Sequence, residues 1–341
     1  MSTLKIHLSY QCSAQCDHCH LRAGRWSAPA IPYDLAMTTI ADLQKVNGLN
    51  YVVLLGGEPG LFPHLTHALA AAIHDLGIGV RIETNASWAI DEAAAESFLE
   101  PLCAVQAQIM LSVDAFHEPY INLDCVERAI RVLDRLKGDC VIEVPYLDFA
   151  QVRGAAEGAY PADKLHPADK LHPLDIRTNE LLQDLEARLG RTSCAKIYKG
   201  RVFFKGRAAH ALAHLVATGR GVPGEVCDVV PWWYNGSQRT LELLGLDPQG
   251  YLSKECGIAI GNVQRQSVAK IVGSFDAEKH PVLSTLIHRG PLGLAEEARE
   301  WGYQLKPDYA DKCHLCQEAR EHLREKYPEH LVPEHHYIDH K

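Results

Sequence analysis

The chain has 341 residues, of which 47% are hydrophobic and 23% charged, and its formal net charge is −9 at pH 7. This length is enough for two domains, and an acidic chain without a basic stripe argues against nucleic-acid binding as the main function. No apolar run reaches the roughly 18 residues of a membrane span, and the N-terminus has a strand pattern rather than that of a signal peptide. We therefore expect a cytoplasmic protein without a membrane partner.

Strands and helices are predicted to alternate along the first two-thirds of the chain. The predicted strands are residues 5–9, 51–55, 80–84, 108–113, 141–146 and 196–204. The predicted helices between them are residues 32–46, 63–76, 90–99, 125–136 and 179–189. Such alternation forms a parallel sheet from βα units, with its chemistry at the C-terminal ends of the strands. Six strands are too few for a closed eight-stranded barrel.

Three cysteines, Cys12, Cys16 and Cys19, follow the first predicted strand in C-x3-C-x2-C spacing. With eleven cysteines and no secretion signal, the chain is expected to use reduced thiols as metal ligands rather than in disulfides. A [4Fe–4S] cluster normally takes four thiolates, so three leave one iron open, as in catalytic metal sites. The alternatives are a zinc site completed by His18 or His20, or ordinary buried thiols.

A second motif, Gly56-Gly57-Glu58-Pro59, follows the second predicted strand. Together with the cysteine spacing, it resembles the radical SAM superfamily, and the resemblance covers about residues 1–210. It implies an α/β fold, a partial (β/α)6 barrel resembling a TIM barrel, in which the three cysteines hold a [4Fe–4S] cluster. The open iron of that cluster would bind S-adenosylmethionine (SAM), which is reductively cleaved to a 5′-deoxyadenosyl radical that abstracts a substrate hydrogen.

The resemblance also implies which residues contact SAM. Gly56 and Gly57 allow close backbone approach and positive φ, and Glu58 accepts a hydrogen bond from the SAM ammonium. Ser112 and Asp114, two apart at the end of the fourth strand, share one face and would also contact SAM. Capping of the next helix is the alternative for both residues.

Three further residues are singled out near these motifs. Arg207, in a Gly-Arg-Ala turn after the sixth strand, either clamps a carboxylate, such as that of SAM, or starts a helix in solvent. His18 stands where the family usually has an aromatic residue, and its flat ring can stack or hydrogen-bond. His117 is predicted to lie at a helix start or in solvent.

Four cysteines of the last third are predicted to hold a second metal centre: Cys227, Cys256, Cys313 and Cys316. A turn at residues 247–250 predicts a hairpin that ends near the second of them, and the last two form a C-x2-C pair before a helix.

This pattern resembles the twitch or SPASM extension of radical SAM enzymes. The resemblance implies a smaller cysteine-containing α+β extension over residues 211–341, with an auxiliary [4Fe–4S] cluster. Cys194 is the substitute if Cys227 is not a ligand. A four-cysteine zinc site is the alternative, because spacing does not separate the two metals.

Three other segments receive structural predictions. Residues 161–172 repeat a six-residue unit and are predicted to form a surface loop. The aromatic run at residues 232–234 belongs to a core or a substrate pocket. The C-terminal stretch is predicted to be a solvated tail, and it contains His330, His335, His336 and His340.

These patterns predict a radical SAM oxidoreductase or transferase that takes electrons from an external donor such as flavodoxin or ferredoxin. The predicted substrate is a peptide, because enzymes with such extensions often modify ribosomally made peptides. A small molecule in cofactor or natural-product biosynthesis is the alternative. Since the first strand begins near residue 4, no fused leader-peptide-binding domain is expected, and a separate partner would supply that function. The hypothesis of another class is a non-catalytic iron–sulfur or zinc-binding protein.

Overall fold

The structure is a computed structural model that describes residues 2–147, 171–190, 193, 195–227, 241–254 and 256–338. The predicted loop at 161–172 lies outside these residues except for its last two positions. Cys194, His340 and the aromatic run at 232–234 also lie outside them. Within the described part of the chain, no helix combines the length and the apolarity that crossing a membrane requires.

The strands of the described residues form one nine-stranded sheet. Six parallel strands lie side by side in sequence order. They are β1 (Ser2–His7), β2 (Leu49–Leu55), β3 (Gly79–Thr84), β4 (Gln108–Ser112), β5 (Asp139–Tyr146) and β6 (Lys196–Arg201). Beyond β1, the sheet continues with β7 (Leu243–Leu246), β8 (Tyr251–Lys254) and β9 (Ile258–Asn262).

A helix follows each of the six parallel strands. These helices are α1 (Tyr33–Asn47), α2 (Pro63–Asp75), α3 (Glu92–Ala104), α4 (Leu123–Leu136), α5 (Pro173–Leu189) and α6 (Arg207–Ala211). The C-terminal part adds α7 (His214–Ala217), α8 (Val268–Ser274), α9 (Pro281–His288), α10 (Gly290–Ala298) and α11 (Lys312–Leu323). The predicted α/β fold, a parallel sheet of βα units in a partial (β/α)6 barrel, is confirmed.

The two faces of the parallel sheet have different surroundings. On β1, the alternate residues Leu4 and Ile6 are fully buried in the core between sheet and helices, because successive side chains of a strand point to opposite faces. On the other face, Lys5, Glu83 and Glu143 line a cavity of about 990 Å³. Charged side chains at these strand positions therefore belong to a pocket rather than to the core.

The predicted hairpin extends the same sheet. β7 pairs in parallel with β1, with Leu4 opposite Leu244 and Ile6 opposite Leu246. The turn between β7 and β8 is confirmed, since the Gly250 N–H donates to the Asp247 carbonyl at 3.0 Å. The sheet thus runs across the predicted domain boundary after residue 210, and that division stays a prediction.

The predicted solvated tail is wrong for the residues that the structure describes. Leu331 is fully buried in the C-terminal core, and Tyr337 and His336 are 5% and 1% exposed. The ring of His335 stacks on Tyr10 at a centroid distance of 4.3 Å. Apolar residues between the histidines pack this segment against the rest of the protein, although its histidines suggested a polar tail.

Candidate active site

The three cysteines after β1 lie in a loop whose side chains line the cavity at the C-terminal end of the sheet. Backbone hydrogen bonds shape this loop, including Cys12 N–H to the Gly24 carbonyl at 2.6 Å and Cys19 N–H to the Cys16 carbonyl at 3.1 Å. Burial raises the pKa of the Cys12 and Cys19 thiols. A buried thiolate needs positive charge beside it, which a bound metal centre supplies.

Arg207 holds this cysteine loop from the start of α6. Its guanidinium is buried and donates to the carbonyls of Cys16 and Ala23, both at 2.8 Å, and its backbone N–H donates to the Cys19 carbonyl. It starts a helix, as one alternative predicted, but it is not in solvent. A contact with a carboxylate of SAM stays a prediction.

The Gly56-Gly57 pair allows the chain to pass close to the backbone that leads into the cysteine loop. Gly56 has a φ of +131°, and the Gly57 N–H donates to the Ser9 carbonyl at 2.6 Å. A Cβ on Gly57 would lie 1.7 Å from the Gln11 carbonyl oxygen. The predicted need for positive φ is confirmed at Gly56, and the close approach seen here is to the protein's own backbone.

The Glu58 carboxylate, only 2% exposed, is surrounded by hydrogen-bond donors. One oxygen accepts from the Thr84 hydroxyl at 2.6 Å and the Gly60 N–H at 2.8 Å, and the other from the Asn85 N–H at 2.9 Å. Burial raises the pKa of Glu58 in spite of these bonds. A carboxylate has about four acceptor positions, so one remains for a ligand, and the predicted SAM contact stays a prediction.

Ser112 and Asp114 have different surroundings. Ser112 ends β4 and lines the cavity, whereas Asp114 is buried and accepts from the backbone N–H groups of Phe116 and His117 at 2.8 Å. Its second oxygen lies 2.7 Å from the His117 ring. Asp114 therefore stabilises the loop after β4, and the predicted SAM contacts of both residues stay predictions.

The prediction that His117 lies at a helix start or in solvent is wrong. Its side chain is 16% exposed, lies in the loop before α4 and packs edge-on against His18 at 4.9 Å. Burial, which lowers the pKa of His117, is outweighed by Asp114 and Cys16, so that this pKa lies well above its ordinary value. Burial would raise the pKa of Asp114, but His117 and His18 lower it to about 2. The two residues form an ion pair beside the cysteine loop.

The four C-terminal cysteines line the same cavity as the first three. Cys227 is held by its N–H, which donates to the Leu286 carbonyl at 3.2 Å, and Cys256 lies in the turn between β8 and β9. Cys313 and Cys316 occupy the first turns of α11, which Asp311 caps by accepting from the His314 N–H at 2.9 Å. The structure thus brings the four predicted ligands to one wall.

Residues 6–141 match the family model of the Radical SAM superfamily. These residues form a radical SAM domain. The family implies a [4Fe–4S] cluster and SAM as cofactors. No curated protein is similar enough in sequence to match the chain.

Solved structures with a similar fold include SuiB from Streptococcus suis, at 16% identity and a TM-score of 0.46 over 79% of this chain. This match spans 65% of the SuiB chain. The enzyme anSMEcpe with bound AdoMet and Cp18Cys peptide matches at 13% identity and a TM-score of 0.49, over 96% of each chain. BtrN in complex with AdoMet and 2-DOIA matches at 12% identity and a TM-score of 0.45, over 93% of this chain and 92% of its own.

The separation of the thiols in and beyond the radical SAM domain can be compared with the geometry of a zinc site. In tetrahedral zinc sites with Zn–S bonds of about 2.3 Å, the sulfurs lie about 3.8 Å apart. Among the described residues, the one group of three or more ligand atoms within 4.8 Å of one another comes from Cys16, His18 and His117. Among the described residues, neither set of cysteines contains three sulfurs packed so closely.

Two further groups, Asn85 and His117, lie near the radical SAM motifs. Asn85 reaches both Glu58, through its backbone, and Cys12, whose sulfur lies 3.6 Å from the Asn85 amide nitrogen. His117 contacts the cysteine loop from the loop between β4 and α4. Polar residues at strand ends were the available signal for Asn85, and nothing in the sequence distinguishes His117 from a surface histidine.

Proposed function

We propose that this protein is a radical SAM enzyme with two [4Fe–4S] clusters, one on Cys12, Cys16 and Cys19 and an auxiliary one on the four C-terminal cysteines. The observation that carries this proposal is that all seven thiols line one cavity of about 990 Å³.

Within this proposal, the residues of the radical SAM domain bind and orient. The cluster and SAM, once bound and reduced by a donor such as flavodoxin or ferredoxin, supply a 5′-deoxyadenosyl radical for hydrogen abstraction. Arg207 and the Gly57 backbone fix the cysteine loop, and the spare acceptor position of Glu58 receives the SAM ammonium. Ser112 lies on the cavity wall, where it can contact the ribose or the methionine part of SAM.

The C-terminal centre is proposed to be a closed cluster with four thiolate ligands. The separation of the thiols supports it, because one zinc ion would draw at least three sulfurs within 4.8 Å of one another. Burial raises the pKa of Cys316 to about 11, although Arg320 lies beside it, and raises that of Cys313 as well, so neither thiol would ionise at neutral pH without a bound metal. Four protein ligands would leave no iron for direct substrate binding.

We propose a peptide as the substrate. The cavity-lining residues Tyr198 and Phe203 are 54% and 42% exposed, so the cavity opens along β6 in the described part of the chain. An extended chain can place one residue inside and rest the others on this exposed rim. SuiB has been solved with its precursor peptide SuiA, and BtrN with the small molecule 2-DOIA. A small-molecule substrate is therefore the alternative.

The test is anaerobic reconstitution of the full chain with iron and sulfide, followed by an assay for 5′-deoxyadenosine with SAM and dithionite. The proposal predicts about eight irons per chain and deoxyadenosine formation. Cys12→Ser should remove about four irons and all SAM cleavage, and Cys313→Ser about four irons with SAM cleavage retained. Cys125→Ser, in a half-buried cysteine of α4 outside both sets, is the matched control.

Other outcomes separate the alternatives. Four irons with one zinc would replace the auxiliary cluster by a zinc site. One zinc and no iron in the wild-type chain, lost in His117→Asn, would favour a single ion on Cys16, His18 and His117. A filled, reducible cluster that never cleaves SAM, with or without candidate peptides, would favour a non-catalytic iron–sulfur protein.

A further inference from the structure

Arg320 lies on α11, one helical turn after Cys316, and its side chain is buried among the C-terminal cysteines with 1% exposure. Its Nε–H lies 3.3 Å from the Cys316 sulfur and 3.2 Å from the Cys316 carbonyl. The other donors reach the Cys256 carbonyl, the Tyr337 hydroxyl at 2.7 Å and the Gln317 side-chain oxygen at 3.1 Å. The guanidinium is thus fixed against two of the four proposed ligands.

The charge of this guanidinium needs a partner. A buried charge is costly unless an opposite charge lies close to it, and Arg remains protonated in proteins. Among the described carboxylates, none forms an ion pair with Arg320, and its hydrogen-bond acceptors are carbonyl, amide, hydroxyl and thiol groups. The Cys316 sulfur, 3.3 Å from the Arg320 Nε, is the nearest group that becomes negatively charged when it binds a metal as a thiolate.

We propose that Arg320 is the fixed countercharge of the auxiliary centre and raises its reduction potential. This inference rests on the proposed function, because it requires a cluster at the four cysteines. Adding one electron to a thiolate-bound cluster makes the site one unit more negative, so a buried cation stabilises the reduced form more than the oxidised form. Net charge and hydrogen bonds to the ligand sulfurs are among the factors that set cluster potentials.

The experiment is a redox titration of the full-length protein with both clusters reconstituted, followed by EPR. Arg320→Gln removes the charge but keeps hydrogen-bond donors, and Arg320→Lys keeps the charge. Arg324→Gln, one turn further along and ion-paired with Glu334 at 2.9 Å, is the matched control. The core cluster is recognised by the change of its signal when SAM is added.

At the potential where the wild-type auxiliary cluster is half reduced, Arg320→Gln should lower the ratio of reduced to oxidised cluster at least tenfold, which is 59 mV for one electron. Arg320→Lys should recover most of that ratio. Arg324→Gln and the core cluster should keep the wild-type values. These results would assign the effect to the charge of Arg320.

The proposal is overturned if Arg320→Gln retains its iron and the ratio changes less than twofold. If Arg320→Gln fails to hold the auxiliary cluster, the Arg320→Lys variant distinguishes a role of the charge from a structural role. A retained cluster at the wild-type potential supports the role of the charge, and loss of the cluster in both variants assigns Arg320 a purely structural role. The iron content of the wild-type chain is measured before any variant is made. About four irons per chain would overturn the proposed auxiliary cluster and, with it, the role proposed for Arg320.

Discussion

Replacing Arg207 by methionine is the sharpest test of how the cysteine loop is held. The substitution keeps the volume of the side-chain stem but removes both 2.8 Å hydrogen bonds to the Cys16 and Ala23 carbonyls. Hydrogen bonds from a charged donor contribute about 1.5–3 kcal/mol each. We expect a loss of about 3 kcal/mol in the free energy of unfolding, at the lower end of the sum, because the variant also no longer buries a cation.

Since about 1.4 kcal/mol is a factor of ten, this loss would reduce the population of the ordered loop roughly a hundredfold. The assays are urea unfolding of the metal-free chain and iron content after reconstitution, with the core cluster expected to be lost and the auxiliary cluster kept. Arg207→Lys should be intermediate, because one ammonium does not span both carbonyls. Arg128→Met, on α4, removes a guanidinium that donates to the Ala89 carbonyl and is the control for loss of a guanidinium.

The opposite result would have a clear meaning. If Arg207→Met keeps its iron and unfolds within 0.5 kcal/mol of the wild type, the range typical of surface substitutions, the loop does not depend on this residue. Weaker SAM binding in that same variant would then support the alternative in which Arg207 clamps a carboxylate.

Two further predictions concern the C-terminal part. Burial raises the pKa of Asp247 from 3.8 to about 6, so its ionisation costs stability. Because the folded pKa lies above the unfolded one, the protonated carboxyl stabilises the folded state at low pH, and this contribution is lost as pH rises through the folded pKa. In urea unfolding, the free energy of unfolding of the wild type relative to Asp247→Asn should fall by about 2–3 kcal/mol between pH 4 and pH 6. A pH-independent difference would refute this. The second prediction concerns the C-terminal segment. Leu331→Ala should lower the free energy of unfolding by about 3 kcal/mol because the side chain is fully buried. Ile338→Ala should lower it by less than about 0.5 kcal/mol because Ile338 is 41% exposed. Equal effects in thermal unfolding would mean that the tail does not pack.

The sequence predicts the order of strands and helices well, because buried strands are local apolar runs. It places the start of α5 six residues too late, at residue 179 instead of Pro173. The reason is that Asp175 and Thr178, both fully buried, occupy the inner face of this helix. They accept from the N–H groups of Leu147 and Ala115, so polar side chains stand where an amphipathic pattern requires apolar ones.

In the candidate site, residues that belong to local sequence motifs can be predicted from the sequence, and residues whose partners are distant in the chain cannot. Cysteine spacing and the Gly56-Gly57-Glu58 turn are local patterns, and they place both sets of thiols at the cavity. Arg207 is predicted to clamp a carboxylate or to start a helix in solvent, and the sequence predicts no role for Arg320. Their roles depend on carbonyls and sulfurs that other elements bring close to them, and these partners cannot be identified from the sequence.

The sheet itself explains why the two sets of cysteines share one cavity. β1 leads directly into the cysteine loop and also pairs with β7, so the first strand of the barrel fixes the hairpin that carries Cys256. The helix with the C-x2-C pair is tied to the same loop, since Arg22 and Glu321 form a largely buried ion pair at 2.6 Å. Because a strand and an ion pair join the two regions, the fold sets the separation of the two sets of cysteines. A substrate between the two clusters proposed for them would meet both at fixed distances.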